Sequence, residues 1–324
     1  MAEIEDPIAT LVRLLDKNLR VVKDDGSLAN IHVSTEWYDR ELLKNHDGQV
    51  TVGLNRSEDQ KIGLSATLRR RVGYARVNIW VVDKPGVTGR KMRNKLRQEI
   101  NRVVREKRTK PNETCYDYVG VGPLTGTHKA YYAKSASELA PDAPDWTELS
   151  AADYEKIWRS DNDRFSYSQS ENDKYSLVLF RIKIESDEKT VKKTVLKFEG
   201  YGTAPAGNGV TVKVWNSEAS AWQNTQTGTG GSDEEIVITL TSSLTDFIDA
   251  DGYVYLLART TNPSDGVSLA TIYCDYSECL VTVEGITYVD VVSYRDEDEV
   301  RVKPFLWRTE FTVKTWLFEN VTVT

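Results

Sequence analysis

The stretch Trp307-Arg308-Thr309-Glu310-Phe311-Thr312-Val313-Lys314-Thr315-Trp316-Leu317-Phe318 decides how this chain is organised. Side chains of two characters alternate along it, the pattern of a long strand with two different faces. Residues 288–294 read as a second strand, and Asp296-Glu297-Asp298-Glu299 between the two reads as a charged turn. About forty residues cannot bury a core by themselves, so this segment needs a sheet to join.

The beginning of the chain offers such a sheet. Ile8, Leu11, Val12, Leu15 and Leu19 share one helix face, and Asp6-Pro7 supplies an N-cap and a proline at the first helical position. Strands are predicted over 31–37, 50–54 and 68–82. Lys84-Pro85-Gly86 stops the last of them. A helix then starts near Thr88, with Met92, Leu96, Ile100, Val103 and Val104 on one face, and ends before Pro111.

Between these two parts the character of the sequence changes. Ala140-Pro141-Asp142-Ala143-Pro144-Asp145-Trp146 is a loop or linker signature. Beyond it, short strands over 176–184, 193–198, 210–215, 235–240, 253–259 and 280–284 are separated by Gly, Asn, Asp and Pro. Strands at this spacing without helices read as an antiparallel sandwich or jelly roll. The expected organisation is therefore an α+β base domain, residues 1–147 plus 286–324, interrupted by an inserted β-sandwich at 148–285. No internal repeat is visible.

Composition sets the class. The chain has 324 residues, 40% hydrophobic and 28% charged, enough apolar material for a packed core. Apolar runs of a few residues cannot span a bilayer, and the acidic start Met1-Ala2-Glu3 is not that of a secretory signal. Membrane insertion and signal-dependent export are not expected. Three cysteines cannot build a disulfide scaffold, and three scattered histidines offer little to zinc. Cys274 and Cys279 fall on opposite faces of one strand by parity and read as reduced, buried thiols.

Charge is unevenly spread. The formal net charge is −7, yet residues 56–110 carry 17 Lys/Arg and 5 Asp/Glu, a balance of +12 against −19 for the rest. The split points to a specific charged contact. Arg90, Arg93, Arg97, Arg102, Arg105 and Arg108 lie on the polar side of the second helix. They are candidates for DNA passing nearby or for the acidic flank of another subunit, and equally for ion pairs within the chain.

Other candidates are weaker in pattern. Trp215 and Trp222 flank a hairpin rich in Asn and Ser, where an exposed ring can hold a sugar or a buried one can fill the sandwich core. Asp161, Asp163, Asp249 and Asp251 can offer oxygens to calcium, although neither pair has the spaced run of an EF-hand loop and turns alone explain both. A glycosidase pair among the same residues has nothing to set its separation. No P-loop, nucleophile elbow or HExxH motif occurs, so no enzyme and no cofactor beyond calcium is expected.

The element order of the base domain resembles the tail terminator (tail completion) proteins of long-tailed viruses of bacteria and archaea. The resemblance rests on the helix from Asp6-Pro7-Ile8, the strand Arg76-Val77-Asn78-Ile79-Trp80-Val81-Val82, the helix Met92 to Arg108, and the strands at 288–294 and 307–318. It implies a subunit that assembles into a hexameric ring, caps the tail tube and docks to the neck, made in the host cytoplasm and located in the virion. Its implied partners are copies of itself, the tail tube protein, a neck or head-completion protein, and DNA in the channel. The insertion, absent from that family, then projects outward as a jelly-roll or carbohydrate-binding-like decoration. A glycan-binding surface module and another neck, baseplate or head-closure protein are the competing readings.

Overall fold

Helix α1 (Pro7–Asn18) begins where the carboxylate of Asp6 accepts the amide of Ile8 at 3.1 Å. The computed structural model describes residues 2–62, 68–299, 301 and 303–320. Met1 and 321–324 at the ends of the expected base domain lie outside the described residues. Strands β1 (Ile31–Ser34), β2 (Gly48–Lys61) and β3 (Leu68–Val82) follow, with a one-turn helix α2 (Leu42–Asn45) after β1. Helix α3 (Gly89–Glu106) comes next, and β15 (Ile286–Glu299) and β16 (Leu306–Asn320) close the unit.

These strands form one sheet in the order β1-β2-β3-β16-β15, parallel between β1 and β2 and antiparallel elsewhere. Both long helices lie on one face of it. Ile8, Leu11, Leu14 and Leu15 of α1 and Met92, Leu96, Ile100, Val103 and Val104 of α3 share a core with Val77, Ile79 and Val81 of β3 and Phe311, Val313 and Leu317 of β16. The period-2 alternation of β3 and β16 sends Trp80, Asn78, Arg308 and Glu310 to the opposite face. Asp83, rather than Thr88, caps α3, its Oδ1 accepting the amide of Gly89 at 2.7 Å. A Cβ on Gly89 would stand 2.3 Å from Cδ1 of Trp307, so only glycine lets the indole approach here.

The segment expected as a charged turn, Asp296 to Glu299, is the far end of β15. Four adjacent carboxylates weaken a turn as readily as a strand unless cations face them, and α3 and β16 supply those cations.

Residues 4–114 and 284–324 make one compact unit; residues 115–283, with 1–3, make the other. The second unit therefore begins at 115, not 148. The correction has a plain cause: β4 (Glu113–Tyr116), β5 (Lys129–Ser135) and β6 (Thr147–Glu148) are short, Gly- and Pro-flanked segments that pair in the sheets of this second unit. Its remaining strands are β7 (Phe165–Gln169), β8 (Tyr175–Lys183), β9 (Val191–Thr203), β10 (Val210–Asn216), β11 (Ala221–Gly228), β12 (Glu234–Leu240), β13 (Tyr253–Thr260) and β14 (Ala270–Val283).

They form a β-sandwich. One sheet runs β11-β10-β13-β8-β5-β6; the other runs β12-β9-β14-β4, with β7 also paired to β14. Val178, Phe180, Val254 and Leu256 of the first sheet meet Leu196, Phe198, Ile272 and Val281 of the second in a continuous core. Cys274 and Cys279 both belong to that core, against the parity expected of an odd spacing. A β-bulge between Cys274 and Tyr276 inserts Asp275 and restores both thiols to the inner face.

All three cysteines are free thiols. Burial pushes the thiols of Cys274, Cys279 and Cys115 up, and at Cys115 a hydrogen bond to Glu278 adds to it. Iodoacetamide at pH 8 should leave Cys274 and Cys279 unmodified in the native protein and label Cys115 slowly, while all three label in denaturant. Mass spectrometry of the labelled protein checks this, and rapid native labelling of either core cysteine would refute the packing.

Candidate functional site

The basic face of α3 is largely neutralised from within its own unit. Arg93, with a side chain 4% exposed, lies 2.5 Å from Asp298 and 3.2 Å from Asp296. Arg97 pairs with Asp296 at 2.9 Å and stacks over the ring of Tyr294. Arg102 bridges Glu99 and Glu106 and donates to the carbonyl of Asn18. Arg108 pairs with Asp290 at 2.6 Å and lies over Tyr288. Lys91 and Lys95 converge on Asp24, and chiefly the Lys95 hydrogen bond holds that carboxyl below its ordinary value. Of the six candidate arginines, only Arg90 and Arg105 are exposed with no ion-pair partner among the described residues.

On the sheet face opposite the helices, the segment around Trp37 and Tyr38 covers Trp80, which is 5% exposed, while other large side chains there stay open. Trp37, 60% exposed, stands edge-on to Trp80, and Arg308 lies over both rings. Trp37 also borders a hollow of about 140 Å³ with Thr51, Leu54, Arg76 and Asn78. Farther along, Tyr288 stacks on Trp316 with ring centres 4.1 Å apart, and Arg70 and Lys314 both lie over Trp316. Alternation alone places Arg70 here, away from Arg71, which pairs with Asp59 and Glu319.

In the sandwich, Trp215 and Trp222 are cross-strand partners packed edge-on at 5.1 Å. Neither belongs to the core between the sheets. Both are half-buried on the outer side of the six-stranded sheet, and the indole of Trp222 donates to the carbonyl of Leu139 at 2.9 Å. The segment just before the stretch 140–146, which reads as a loop or linker, is thus held on this sheet. Its Glu138 is gripped by Lys213 at 2.7 Å and Arg259 at 2.9 Å. Burial opposes the charge on Glu138, yet these two cations together hold its carboxyl below the ordinary value.

The four aspartates do not converge. Asp161 accepts the amide of Asp163, and the amide of Asn162 between them donates to Asp275, the buried bulge residue, whose carboxyl burial pushes up. Asp249 is saturated by the amides of Asp251 and Tyr253 and by the hydroxyl of Tyr255 at 2.6 Å. Each pair closes a turn. Among the described residues no three His, Cys, Asp or Glu gather as a metal-holding group.

Asp249 and Asp251 do border a feature that sequence reasoning missed. An open cleft of about 890 Å³ is lined by Arg181, Lys183, Ser186, Asp187, Glu188, Asp249, Asp251 and Tyr253, among others. The guanidinium of Arg181 lies 3.8 Å from the ring centre of Tyr253, and the ammonium of Lys183 donates to the carbonyl of Asp251. A signal existed: Arg181-x-Lys183 and Tyr253-x-Tyr255 occupy alternate positions of otherwise apolar strands and face each other across β8 and β13.

No curated protein matches this sequence. A family described as "Uncharacterized protein, C-terminal domain" matches residues 126–283, a range that falls within the sandwich unit. Among solved structures the chain is similar to a xylan-binding module, CBM15, at 8% identity and a TM-score of 0.29 over 52% of this chain and 97% of that one. It is similar also to a family 11 carbohydrate-binding module from Clostridium thermocellum in complex with a mixed-linked tetrasaccharide, at 10% identity and 0.22 over 52% and 88%. Likeness at these scores carries no argument about ligand or role. No helix among the described residues is long and apolar enough to cross a membrane.

Proposed function

We propose that this chain is a non-catalytic assembly protein of the tail-terminator kind. Its helix-backed sheet unit closes a hexameric ring on the end of a viral tail tube and joins the tube to the neck. The sandwich is carried outward as a decoration. The observation that supports this reading is the outer sheet face of the first unit, where Trp37 and Phe318 are 60% and 39% exposed beside arginine-capped rings. Large apolar side chains left exposed on one face mark a surface that meets a partner. A ring closes by heterologous contacts, each copy using two different surfaces.

The contact residues on α3 are Arg90 and Arg105, which have no partner of their own among the described residues, and they meet acidic groups of the next copy. Arg97 and Arg102 drop out of that role because Asp296, Glu99 and Glu106 already hold them. Light scattering and negative-stain images should show a ring of about six copies, alone or with tail tube protein. The double variant Arg90→Glu/Arg105→Glu should keep the melting temperature of the parent and fall to smaller species. Intact rings from that variant sink the proposed contact; a monomer that tail tube protein does not assemble sinks the ring.

A second reading, a glycan-binding surface module, is favoured by the open polar cleft of the sandwich. Binding to an oligosaccharide array, with or without ring formation, separates the two.

A further inference from the structure

Two buried polar atoms without partners border the same cleft. Ser186 is only 8% exposed, and its Oγ has no hydrogen-bond partner. The Nε of Arg181 is likewise buried and unpartnered, while the rest of its guanidinium hydrogen-bonds Tyr131 and lies over Tyr253. Both residues line the cleft of about 890 Å³ at one end of the central strands β8 and β13 of the six-stranded sheet. Leaving a buried donor or acceptor unmade destabilises a fold, and a χ1 rotation of Ser186 at the cleft wall lets its hydroxyl meet a bound partner.

We propose that this cleft binds a neutral oligosaccharide. The lining combines donors, at Arg181, Lys183 and Ser186, with carboxylate acceptors at Asp187, Glu188 and Asp251. A ligand dense in hydroxyls satisfies both kinds at once, because each hydroxyl donates and accepts. The lining carries five acidic side chains, Glu185, Asp187, Glu188, Asp249 and Asp251, against the two cations Arg181 and Lys183. That excess repels sulfated, phosphorylated or carboxylated sugars and leaves neutral ones. The guanidinium on Tyr253 fixes the Arg181 fork at the cleft wall, where a planar donor can meet a pair of neighbouring hydroxyls. The cleft is open, which suits a chain of sugar rings better than a single enclosed one.

This inference rests on the glycan reading of the sandwich for its ligand class and is independent of the ring. It moves the binding site away from Trp215 and Trp222. The test is the full chain on an array of neutral and anionic oligosaccharides, followed by calorimetric titration of the best neutral binder. Ser186→Ala removes an unpartnered hydroxyl, so it should keep or raise the melting temperature while weakening binding about tenfold, a hydrogen bond's share of affinity. Arg181→Gln should weaken it by a similar factor, and Trp222→Phe should leave it unchanged. If Trp222→Phe abolishes binding and Ser186→Ala does not, the cleft is wrong and the glycan reading survives. Binding confined to anionic sugars overturns the ligand class, and no binding to any sugar overturns both.

Discussion

Replacing Arg13 by methionine should lower the stability of the helix-backed unit by about 3–5 kcal/mol, the loss expected when one partner of a buried ion pair is removed. The Arg13 guanidinium grips Glu5 twice, Nη1 to Oε1 at 2.7 Å and Nη2 to Oε2 at 2.6 Å, and its Nε donates to Thr114 at 3.0 Å. Both side chains are 7% exposed, so water cannot replace what the substitution removes. Thr10 also donates to Glu5, which leaves the carboxylate fully engaged. The pair stands where the chain leaves this unit at Thr114 and returns at Glu284, whose carbonyl accepts the amide of Glu5. Its loss therefore loosens both strands of the crossover as well as α1. The double variant Glu5→Leu/Arg13→Met should recover most of the stability, because two apolar side chains leave no orphaned charge. Denaturant titration of the parent, the single and the double variant decides it: equal losses in both variants would mean that packing, not charge, holds this corner of the unit.

The second large effect is expected at Arg93. Methionine there should remove about 2 kcal/mol, nearer the low end for a buried pair because Asp296 and Asp298 are about a third exposed and can hydrate. Glutamate there should remove about 4 kcal/mol or more, since a third carboxylate would enter a site that already holds two. Arg97→Ala, one turn along the same helix, should lose less than about 1 kcal/mol, as more exposed pairs do. Thermal unfolding of the three variants provides the comparison. If Arg93→Met and Arg97→Ala lose the same stability, burial is not what distinguishes the two arginines.

This contrast also marks where sequence reading stops. Periodicity located α1 and α3 and their apolar faces, because a helix that packs on a sheet must repeat every three to four residues. The same alternation rule found β3 and β16. The charges were legible as a +12 segment in an acidic chain, but not their assignment. Arg93 and Arg97 find Asp298 and Asp296 some two hundred positions away, a pairing set by the register of β15 against β16 rather than by local spacing. The aspartate pairs lie in turns, as their Asn and Gly neighbours suggested, since Asp161 and Asp249 each cap amides within four residues.

Other features escaped for identifiable physical reasons. β4, β5 and β6 are short and bounded by glycine and proline, so the border at 115 had no compositional edge. Cys274 and Cys279 were assigned to opposite faces because a one-residue bulge reverses parity and leaves no mark in the sequence. The stretch 140–146 reads equally as a loop or a linker because the two share Pro, Ala and Asp. Only the contacts of Glu138 and Leu139 just before it tell them apart. The cleft depended on which outward positions of β8 and β13 become neighbours, and pairing partners are not written in either strand alone.

The place of β16 has a consequence for synthesis. It lies between β3 and β15, so the middle of the sheet stays empty until residues 306–320 have left the ribosome. All eleven strands of the sandwich are available before then, and domains fold as units in the order they emerge. The earlier strands β1, β2 and β3 must therefore wait, with their apolar face shielded only by α1 and α3, for a partner encoded more than two hundred positions later. A chain cut short between 283 and 306 would carry a finished sandwich on an unfinished base. A check on synthesis is thus built into the topology: only a chain extended through β16 can complete this sheet.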